Sequence, residues 1–545
     1  MHELSTNSPK NVTTKIHRSR EVISRKWVAY QELTNSEANC SQRVAARILK
    51  IPRSTFQGWN ESQAQNDELD RFFNSPVGAE ALHRIISAVH FVIQYRNCGS
   101  RSLQEFLKLS QLENWVAHST GAVHNFAARF EKEIVAFGKE QRHALAKGMP
   151  KRKIALSEDE TFHMGRPCLV AIELISNFIL VEQYAEQRRA KDWNLATNEA
   201  LDGLNVEILS STIDGGTALM AHVKKELKVE HSPDLFHVQQ DLSRATAGPL
   251  KAQEREMEKE LEKEQKKLAR VIEKHGGSSE IAQEAKRTRD LRAYGLKVRM
   301  TRREEVKASI KGMGQDYHPI DLATGEWQSP EMVKGKLEAR TEKVEVAARE
   351  TELADNCLKK IAKAKEQIAP MISYLTYFFL LLKQFIEEQN LTPESERFFR
   401  EVLIPLEYLE WVFTKTPTKE RKALVPILEK LRAKAREGPL QSMERENLQK
   451  KAAEVARWFQ RSSSCVEGRN GVLDMKHHGA HRLSSNRLGA LTVVHNFHVQ
   501  RPDGTTPGER FFQKKHGKLF ETVMRRVPML GKPRNSQALR AFIAA

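Results

Sequence analysis

The segment at residues 154–162, IALSEDETF, constrains the fold of this 545-residue chain more than any other. A short apolar run leads into three consecutive acids, and a second apolar run follows at residues 168–175. A buried strand that carries a carboxylate to the edge of a sheet has this pattern, because its apolar residues fill the core and its acid reaches the rim. We therefore expect a strand at residues 154–156 that brings Asp159 to a functional site.

Two later segments carry acids in comparable positions. Residues 208–219, ILSSTIDGGTAL, form a strand-like run that ends at Asp214 and a Gly-Gly turn. Residues 465–479, CVEGRNGVLDMKHHG, have a helical pattern and carry Glu467. Phosphodiester chemistry can be performed by two Mg²⁺ ions held by a few carboxylates on rigid elements. We therefore expect Asp159, Asp214 and Glu467 to converge on two divalent ions, with Mn²⁺ as a substitute for Mg²⁺.

Each of these acids also has an ordinary structural interpretation. Asp159 could be a surface acid at a strand end, and Glu158 and Glu160 compete for its role. Asp214 could simply form the turn before two glycines. Glu467 could stabilise the start of a helix through the helix dipole.

The chain is strongly basic, with 88 Lys and Arg against 70 Asp and Glu, a net charge of +18 and a pI near 9.5. A surplus of this size favours a polyanionic partner, most often nucleic acid, although charge-rich helices exposed to solvent would give the same count. Five scattered Cys without a CxxC pair argue against a disulfide framework or a zinc ribbon. They favour a reducing cytoplasm.

No segment has the pattern expected of a membrane anchor. The N-terminal MHELSTNSPKN lacks the apolar core of a secretory signal. The most apolar run, at residues 368–382, falls short of the roughly 18–20 apolar residues that span a bilayer. We expect a buried core helix there, a cytoplasmic protein and no membrane partner.

Residues 41–60 have the pattern of a helix-turn-helix. A short helix at residues 42–49 precedes a turn at residues 50–53, and Ser54 is an N-cap candidate for a second helix. A plain helical hairpin is the alternative, and a second, weaker motif of this kind or a helical spacer occupies residues 100–130. The second helix of residues 41–60 would face DNA with Arg53, Ser54, Thr55, Gln57 and Asn60.

Strands and helices are mixed between residues 150 and 245. The sequence predicts strands at residues 154–156, 168–175, 178–184, 206–213 and 233–238, with helices at 190–204 and 216–227. Three strands, a helix, a strand, a helix and a strand is the order of a ribonuclease-H-like sheet. In that layout the first and fourth strands are adjacent, which makes Asp159 and Asp214 neighbours.

No strand pattern persists between residues 246 and 460. A heptad-like seam predicts a coiled-coil arm that ends at residues 275–277, and its members are Leu250, Met257, Leu261, Leu268 and Val271. We therefore predict a multidomain α+β protein whose mixed sheet domain is split by a large all-α insertion. Its regions are a helix-turn-helix region (1–70), a helical region with a possible second DNA-binding module (71–149), the ribonuclease-H-like domain (150–245 and 461–515), the insertion (246–460) and a basic tail (516–545).

Together these segments resemble a bacterial insertion-sequence transposase of the DDE type. The resemblance rests on DETFHMGRPCLVAIELISNFILVEQYA (159–185), TIDGGTAL, SPDLFHVQQDLSRA (232–245), VEGRNGVLDMKHHGAHRL (466–483) and ALTVVHNFHVQRPDGTTPGERFF (490–512). The Asp-Gly at the second acid and His237 closing the fifth strand resemble Mutator-like transposases. Because a long interval separates Glu467 from Asp214, Asp474 is an alternative third acid.

The resemblance implies roles for further residues. Asp159, Asp214 and Glu467 would be the catalytic metal ligands, and His237 would contact the scissile phosphate or seal the sheet. Arg469 and Asn470 would approach phosphate or brace the site. A basic cluster would contact the DNA backbone, and it consists of His477, His478, His481 and Arg482.

The implied activity is DNA transposition. The enzyme would bind the terminal inverted repeats of its element, hydrolyse a phosphodiester at each end and transfer the 3′-OH ends to target DNA. Its partners would be double-stranded DNA and further copies of the chain in a homodimer or larger assembly at the bacterial nucleoid, with no small-molecule substrate. The alternatives are a non-catalytic DNA-binding relative and a ribonuclease-H-like nuclease without strand transfer.

Overall fold

The computed structural model describes residues 26, 28–30, 32–33, 40–51, 68–96, 98–439, 442–459, 464–480 and 483–533. The chain divides into two compact units. The first contains Met1–His90, Gln104–Val123 and Met529–Ala545, and the second contains Phe91–Leu103 and His124–Pro528.

The first unit includes the start of the predicted helix-turn-helix. Helix α1 spans Gln42–Ile48 and buries Ala45 and Ala46 against Tyr30 and Ile51. The predicted second helix lies outside the described residues, and so do the five side chains expected to face DNA: Arg53, Ser54, Thr55, Gln57 and Asn60.

Three helices occupy the region between residues 76 and 146, where the sequence predicts helices. They are α2 (Pro76–Tyr95), α3 (Ser100–Leu109) and α4 (Thr120–Ala146). Within the second unit, Gly138 of α4 lies directly against the side chain of Val493. A larger side chain at residue 138 would collide with Val493.

The second unit contains a five-stranded mixed sheet. Its strands are β1 (Arg152–His163), β2 (Arg166–Glu173), β3 (Ile179–Tyr184), β4 (Val206–Ile213) and β5 (Glu230–Pro233). The order across the sheet is β3-β2-β1-β4-β5. The first three strands pair antiparallel, and β4 lies parallel to both β1 and β5. The predicted adjacency of the first and fourth strands is therefore confirmed.

Strand β1 is much longer than the strand predicted at residues 154–156. It continues through all three acids to His163, because residues 156–163 pair with β2. The prediction that the strand stops before Asp159 was therefore wrong, and Asp159 lies within the sheet. Acids are poor strand formers in isolation, but pairing and side-chain contacts outweigh that preference here.

Helices cover both faces of the sheet. On one face, α5 (Ala190–Leu201), the short helix α6 (Thr217–Ala221) and the π-helical turn His222–Leu227 pack against β2 and β3. On the other face lie α17 (Ser464–Ala480) and α18 (Ser485–Phe497). The predicted helix that carries Glu467 is confirmed.

The predicted fifth strand at residues 233–238 was wrong. Strand β5 ends at Pro233, and Asp234 caps a helix by accepting a hydrogen bond from the Phe236 amide at 2.6 Å. That helix, α7, spans Leu235–His275. His237 therefore lies in the first turn of a helix and does not close a strand.

The predicted coiled-coil arm is a helical hairpin formed within the chain. Helix α7 ends at Gly276, and Ser279 caps the returning helix α8 (Glu280–Asp316). Arg299 contacts Gln253 and Arg292 contacts Glu260, so the two helices run antiparallel. Because α7 begins at Leu235, the hairpin starts before the predicted domain boundary at residue 246.

Helices continue from the hairpin to the C-terminal region of the described chain. They are α9 (Pro330–Glu350), α10 (Asp355–Glu366), α11 (Ile368–Glu388), α12 (Pro393–Phe398), α13 (Ile404–Lys415), α14 (Thr418–Arg421), α15 (Val425–Arg436), α16 (Ser442–Val455), α19 (Pro507–Phe512) and α20 (Leu519–Arg526), with a π-helical segment at Phe399–Leu403.

The most apolar helix, α11, lies in the core of the helical region. Met371, Leu375 and Phe378 are buried in one cluster with Phe399 and Phe459. Among the described residues, Asp355–Glu388 is the one stretch long and apolar enough to cross a membrane by its composition. The packing of α11 agrees with the predicted core helix.

Candidate active site

The alternation of β1 separates its three acids onto two faces of the sheet. Asp159 pairs with Val170, whose side chain belongs to the apolar cluster beneath α17 and α18. Glu158 and Glu160 pair with Ala171 and Leu169, whose side chains face the opposite cluster around Trp193. Paired residues in a sheet share a face, so Asp159 alone of the three points toward α17.

Side-chain contacts hold the two competing acids on the opposite face. The Ser211 hydroxyl donates a hydrogen bond to Glu158 at 2.8 Å, and His222 Nε2 lies 3.6 Å from the same carboxylate. Trp193 Nε1 donates to Glu160 at 3.2 Å. These contacts exclude Glu158 and Glu160 from a site shared with Asp159, and sequence reasoning did not identify His222 and Trp193 as their partners.

Asp214 follows β4 at the same level as Asp159. Ser157 of β1 is in register with Thr212 of β4, and each aspartate lies two residues beyond its member of this pair. The two aspartates therefore lie at the same level, Asp159 within β1 and Asp214 directly after the end of β4. The Gly216 amide donates to Asp214 Oδ1 at 2.8 Å, and Gly215 adopts a positive φ of 85° in the turn.

Helix α17, which packs on the sheet face toward which Asp159 points, carries Glu467 and Asn470. Val466 and Leu473 of α17 are fully buried against the apolar side chains of β2 and β3. Residues three apart lie on neighbouring turns of one helix face, so Glu467 and Asn470 are directed together. Asn470 Nδ2 donates a hydrogen bond to Asp159 Oδ2 at 2.8 Å.

The pKa of Asp159 reflects both its burial and the acids around it. It is raised to about 6, mainly by burial and to a smaller extent by the carboxylates of Asp214, Glu160 and Glu467. A hydrogen bond from the Glu160 amide to Asp159 Oδ1 opposes the shift. Asp214, which follows β4, and Glu467 of α17 are therefore close enough to Asp159 to influence its pKa.

His237 borders the same space from the first turn of α7. Its Nδ1 lies 3.7 Å from Asp234 Oδ2, and this carboxylate is the main cause of a raised pKa for His237. Asp214 and Glu467 also raise the pKa of His237. The His237 imidazole is therefore protonated more readily than a free histidine, although its element was predicted incorrectly.

Arg469 lies on the side of α17 that faces the sheet. Its guanidinium forms a bidentate ion pair with Glu182 of β3, with N–O distances of 2.6 and 2.5 Å. The Thr492 hydroxyl also donates to Glu182, at 2.7 Å. Because both charged groups are buried, Arg469 fixes α17 on the sheet, which favours the bracing role over phosphate contact.

The predicted basic cluster and the alternative third acid lie toward the end of β1. Asp474 Oδ1 accepts from the Thr161 hydroxyl at 3.3 Å, and His477 stacks on buried His163 with ring centroids 4.9 Å apart. Asp474 contacts Thr161 and His163, whereas Glu467 lies close enough to Asp159 to raise its pKa. This difference favours Glu467 as the third acid. His478 is exposed, and His481 and Arg482 lie outside the described residues.

The donor chemistry of the site fits a hard divalent cation. Carboxylates and an amide supply oxygen alone, which Mg²⁺ and Mn²⁺ prefer. In the described part of the chain, however, no three His, Cys, Asp or Glu side chains are gathered closely enough to hold a metal ion. Asp159, Asp214 and Glu467 thus share a space without forming a ready-made ligand group.

Comparison with known proteins adds one family match. Residues 399–539 match a family of unknown function (DUF6399). The matched region contains Glu467, Arg469 and Asn470 but neither aspartate. No curated protein matches the chain.

Proposed function

We propose that this protein is a DNA transposase of the DDE type with a ribonuclease-H-like catalytic domain. The observation that carries the proposal is that Asp159 on β1 and Asp214 directly after β4 lie at the same level of two adjacent parallel strands, with Glu467 of α17 near Asp159. The strand order β3-β2-β1-β4-β5 and the long helical region between β5 and α17 support the same assignment.

In this proposal Asp159, Asp214 and Glu467 hold two Mg²⁺ ions, for which Mn²⁺ can substitute. The ions would activate the attacking oxygen and stabilise the leaving one. The protein's own residues position the carboxylates: the sheet fixes Asp159, the Gly-Gly turn fixes Asp214, and the Arg469–Glu182 ion pair fixes the helix that carries Glu467.

We further propose that double-stranded DNA is the substrate and that the protein works as a homodimer or larger assembly in the bacterial cytoplasm. The net charge of +18 supports a polyanionic partner. Water would attack the phosphodiester at each element end and leave a 3′-OH and a 5′-phosphate. The 3′-OH would then attack a phosphodiester of the target, form a new phosphodiester with it and release a 3′-OH on the target strand.

One observation favours a second candidate, a non-catalytic DNA-binding relative. The described residues contain no pre-gathered group of metal-ligating side chains. Such a protein would keep the basic surface and the sheet but would not cleave DNA.

A plasmid assay separates the candidates. The full chain is incubated with Mg²⁺, a target plasmid and a donor plasmid that carries the DNA flanking its coding region. The transposase proposal predicts cleaved ends that become joined to the target, and Asp159→Asn abolishes both products. Cleaved ends that never join the target would indicate a nuclease, and wild-type cleavage no greater than that of Asp159→Asn would favour the DNA-binding candidate.

A further inference from the structure

The outer face of helix α8 carries large apolar side chains that are exposed to solvent. Leu291 is 71% exposed, Tyr294 69% and Val298 38%. Steps of three and four residues place the three side chains in one stripe along the helix. The helix contacts α7 through a different face, on which Arg299 donates to Gln253 at 2.6 Å. An exposed apolar stripe that lies outside the contact between the two hairpin helices marks an interaction surface.

The stripe is the centre of a longer seam with coiled-coil spacing. Its members follow one another in alternating steps of four and three residues, and they are Arg287, Leu291, Tyr294, Val298, Thr301 and Glu305. All six residues are exposed. The Thr301 hydroxyl donates to the Lys297 carbonyl at 3.0 Å, so its hydrogen bond is satisfied within the helix. The seam therefore has an apolar centre, a positive charge at one end and a negative charge at the other.

The charges at the two ends of the seam make it complementary to an antiparallel copy of itself. When two α8 helices pair antiparallel, centred midway between Arg287 and Glu305, Arg287 lies opposite Glu305 of the partner subunit. Tyr294 then lies opposite Val298 of the partner subunit, and the two-fold axis repeats each contact. A parallel pair would place two Arg287 side chains and two Glu305 side chains against each other, which like charges disfavour. Charge complementarity therefore favours a second, antiparallel copy as the occupant of this face.

Within one chain the end charges take part in exposed helical ion pairs. Arg287 lies 3.6 Å from Glu284, and Glu305 lies 2.6 Å from Arg302. Ion pairs of this kind on an exposed helix contribute little to stability. Both end charges can therefore exchange these partners for contacts with a second copy.

We propose that the outer face of α8 joins two copies of this chain as an antiparallel coiled-coil pair. The assignment rests on the proposed assembly of several copies and names the surface that holds two of them together. The seam from Arg287 to Glu305 extends over about 27 Å of helix. Because an interface of this length is small, the dimer should dissociate on dilution.

The molar mass of the full chain, measured without DNA or divalent cations, tests the interface. Sedimentation velocity at about 1–100 µM should show the 62.3 kDa monomer converting to a dimer as the concentration rises. Leu291→Asp should weaken association at least about tenfold, because a charge enters the apolar seam twice in each dimer. Leu195→Asp, at an exposed leucine outside α8, is the matched control and should associate as the wild type does. A wild-type chain that stays monomeric throughout this range would overturn the interface.

Charge reversal identifies the partner and its orientation. Arg287→Glu and Glu305→Arg should each weaken self-association at least about tenfold, because each places like charges opposite each other in the antiparallel pair. An equal mixture of the two variants should regain association, because opposite charges then meet at both ends of the seam. Lys286→Glu makes the same change of charge beside the seam and should have little effect. A mixture that associates no better than its components would overturn the proposal.

Two further measurements separate this inference from the proposed function and from DNA binding. Asp159→Asn should dimerise as the wild type does. Dimers of a protein that cleaves no plasmid DNA would leave the interface standing and overturn the proposed function, whereas a monomer that cleaves and joins DNA would overturn the interface alone. If Leu291→Asp keeps the wild-type molar mass but binds a labelled DNA duplex more weakly, the seam contacts DNA and the interface is overturned. Circular dichroism melting identifies any variant that has lost the fold, and the intact variants then decide the outcome.

Discussion

Replacement of Asp159 by Asn should increase stability relative to wild type as the pH rises from acidic to neutral. The pKa of Asp159 rises from an ordinary value of 3.8 to about 6 because the carboxyl is buried and lies among other acids. Its ionised form is therefore unfavourable in the folded state. Asparagine has nearly the same shape and cannot ionise. Its single oxygen can accept from Asn470 or from the Glu160 amide but not from both, and this loss does not depend on pH.

The magnitude follows from the difference between the folded and unfolded pKa values. A raised pKa gives stability that is fully present below about pH 4 and is lost as the pH rises through about 6. A difference of about two pKa units corresponds to about 3 kcal/mol, which is an upper figure because solvent screens this partly exposed carboxyl. The variant escapes that loss, so its free energy of unfolding relative to wild type should increase by up to about 3 kcal/mol between pH 4 and pH 8.

Urea denaturation of both proteins at pH 4, 6 and 8, without divalent cations, measures this difference. Titrating groups distant from Asp159 are common to the two proteins and cancel in the comparison. Asp355→Asn, an exposed change in the first turn of α10, is the control and should show only a small difference. A difference between Asp159→Asn and wild type that stays constant from pH 4 to pH 8 would refute the reasoning.

Two further predictions concern the helix that carries Glu467 and the imidazole beside it. Arg469→Ala leaves Glu182 buried without its ion-pair partner and should destabilise the protein by about 3–5 kcal/mol in urea denaturation. The control Arg436→Ala, at an exposed position, should cost less than about 0.5 kcal/mol. A loss below about 1 kcal/mol for Arg469→Ala would argue against its bracing role. Glu467→Gln should lower the pKa of His237, because Glu467 helps to raise it. Carbon-13 NMR of labelled histidine Cε1 atoms, assigned with His237→Ala, measures this pKa, and an unchanged value would place Glu467 away from the site.

Local sequence patterns predicted the parts of the site that depend on neighbouring residues in the chain. Val206–Ile213 was predicted with its observed bounds, because a β-branched run followed by Asp-Gly-Gly indicates both a strand and its end. The helix that carries Glu467 was predicted because its apolar residues, which include Val466 and Leu473, recur at helical spacing.

The extension of β1 could not be predicted from local preference. Three consecutive acids disfavour a strand, and their contacts with Ser211, His222 and Trp193 come from distant segments. The sequence also could not identify α8 as the partner of α7 in the hairpin, because a heptad-like seam does not specify which helix packs against it. The start of α7 could have been predicted from the sequence, because Asp234 is a residue type that commonly caps helices and its carboxylate accepts from the Phe236 amide.

Iron-directed cleavage of the protein backbone tests the central claim most directly. Fe²⁺ replaces Mg²⁺ in the full chain, and ascorbate with peroxide produces hydroxyl radicals that cut the backbone near the bound ion. The account predicts cuts close to Asp159, Asp214 and Glu467 that disappear together in Asp159→Asn or with excess Mg²⁺. Cuts near only one of the three acids, or cuts that persist in Asp159→Asn, would contradict a shared cation site.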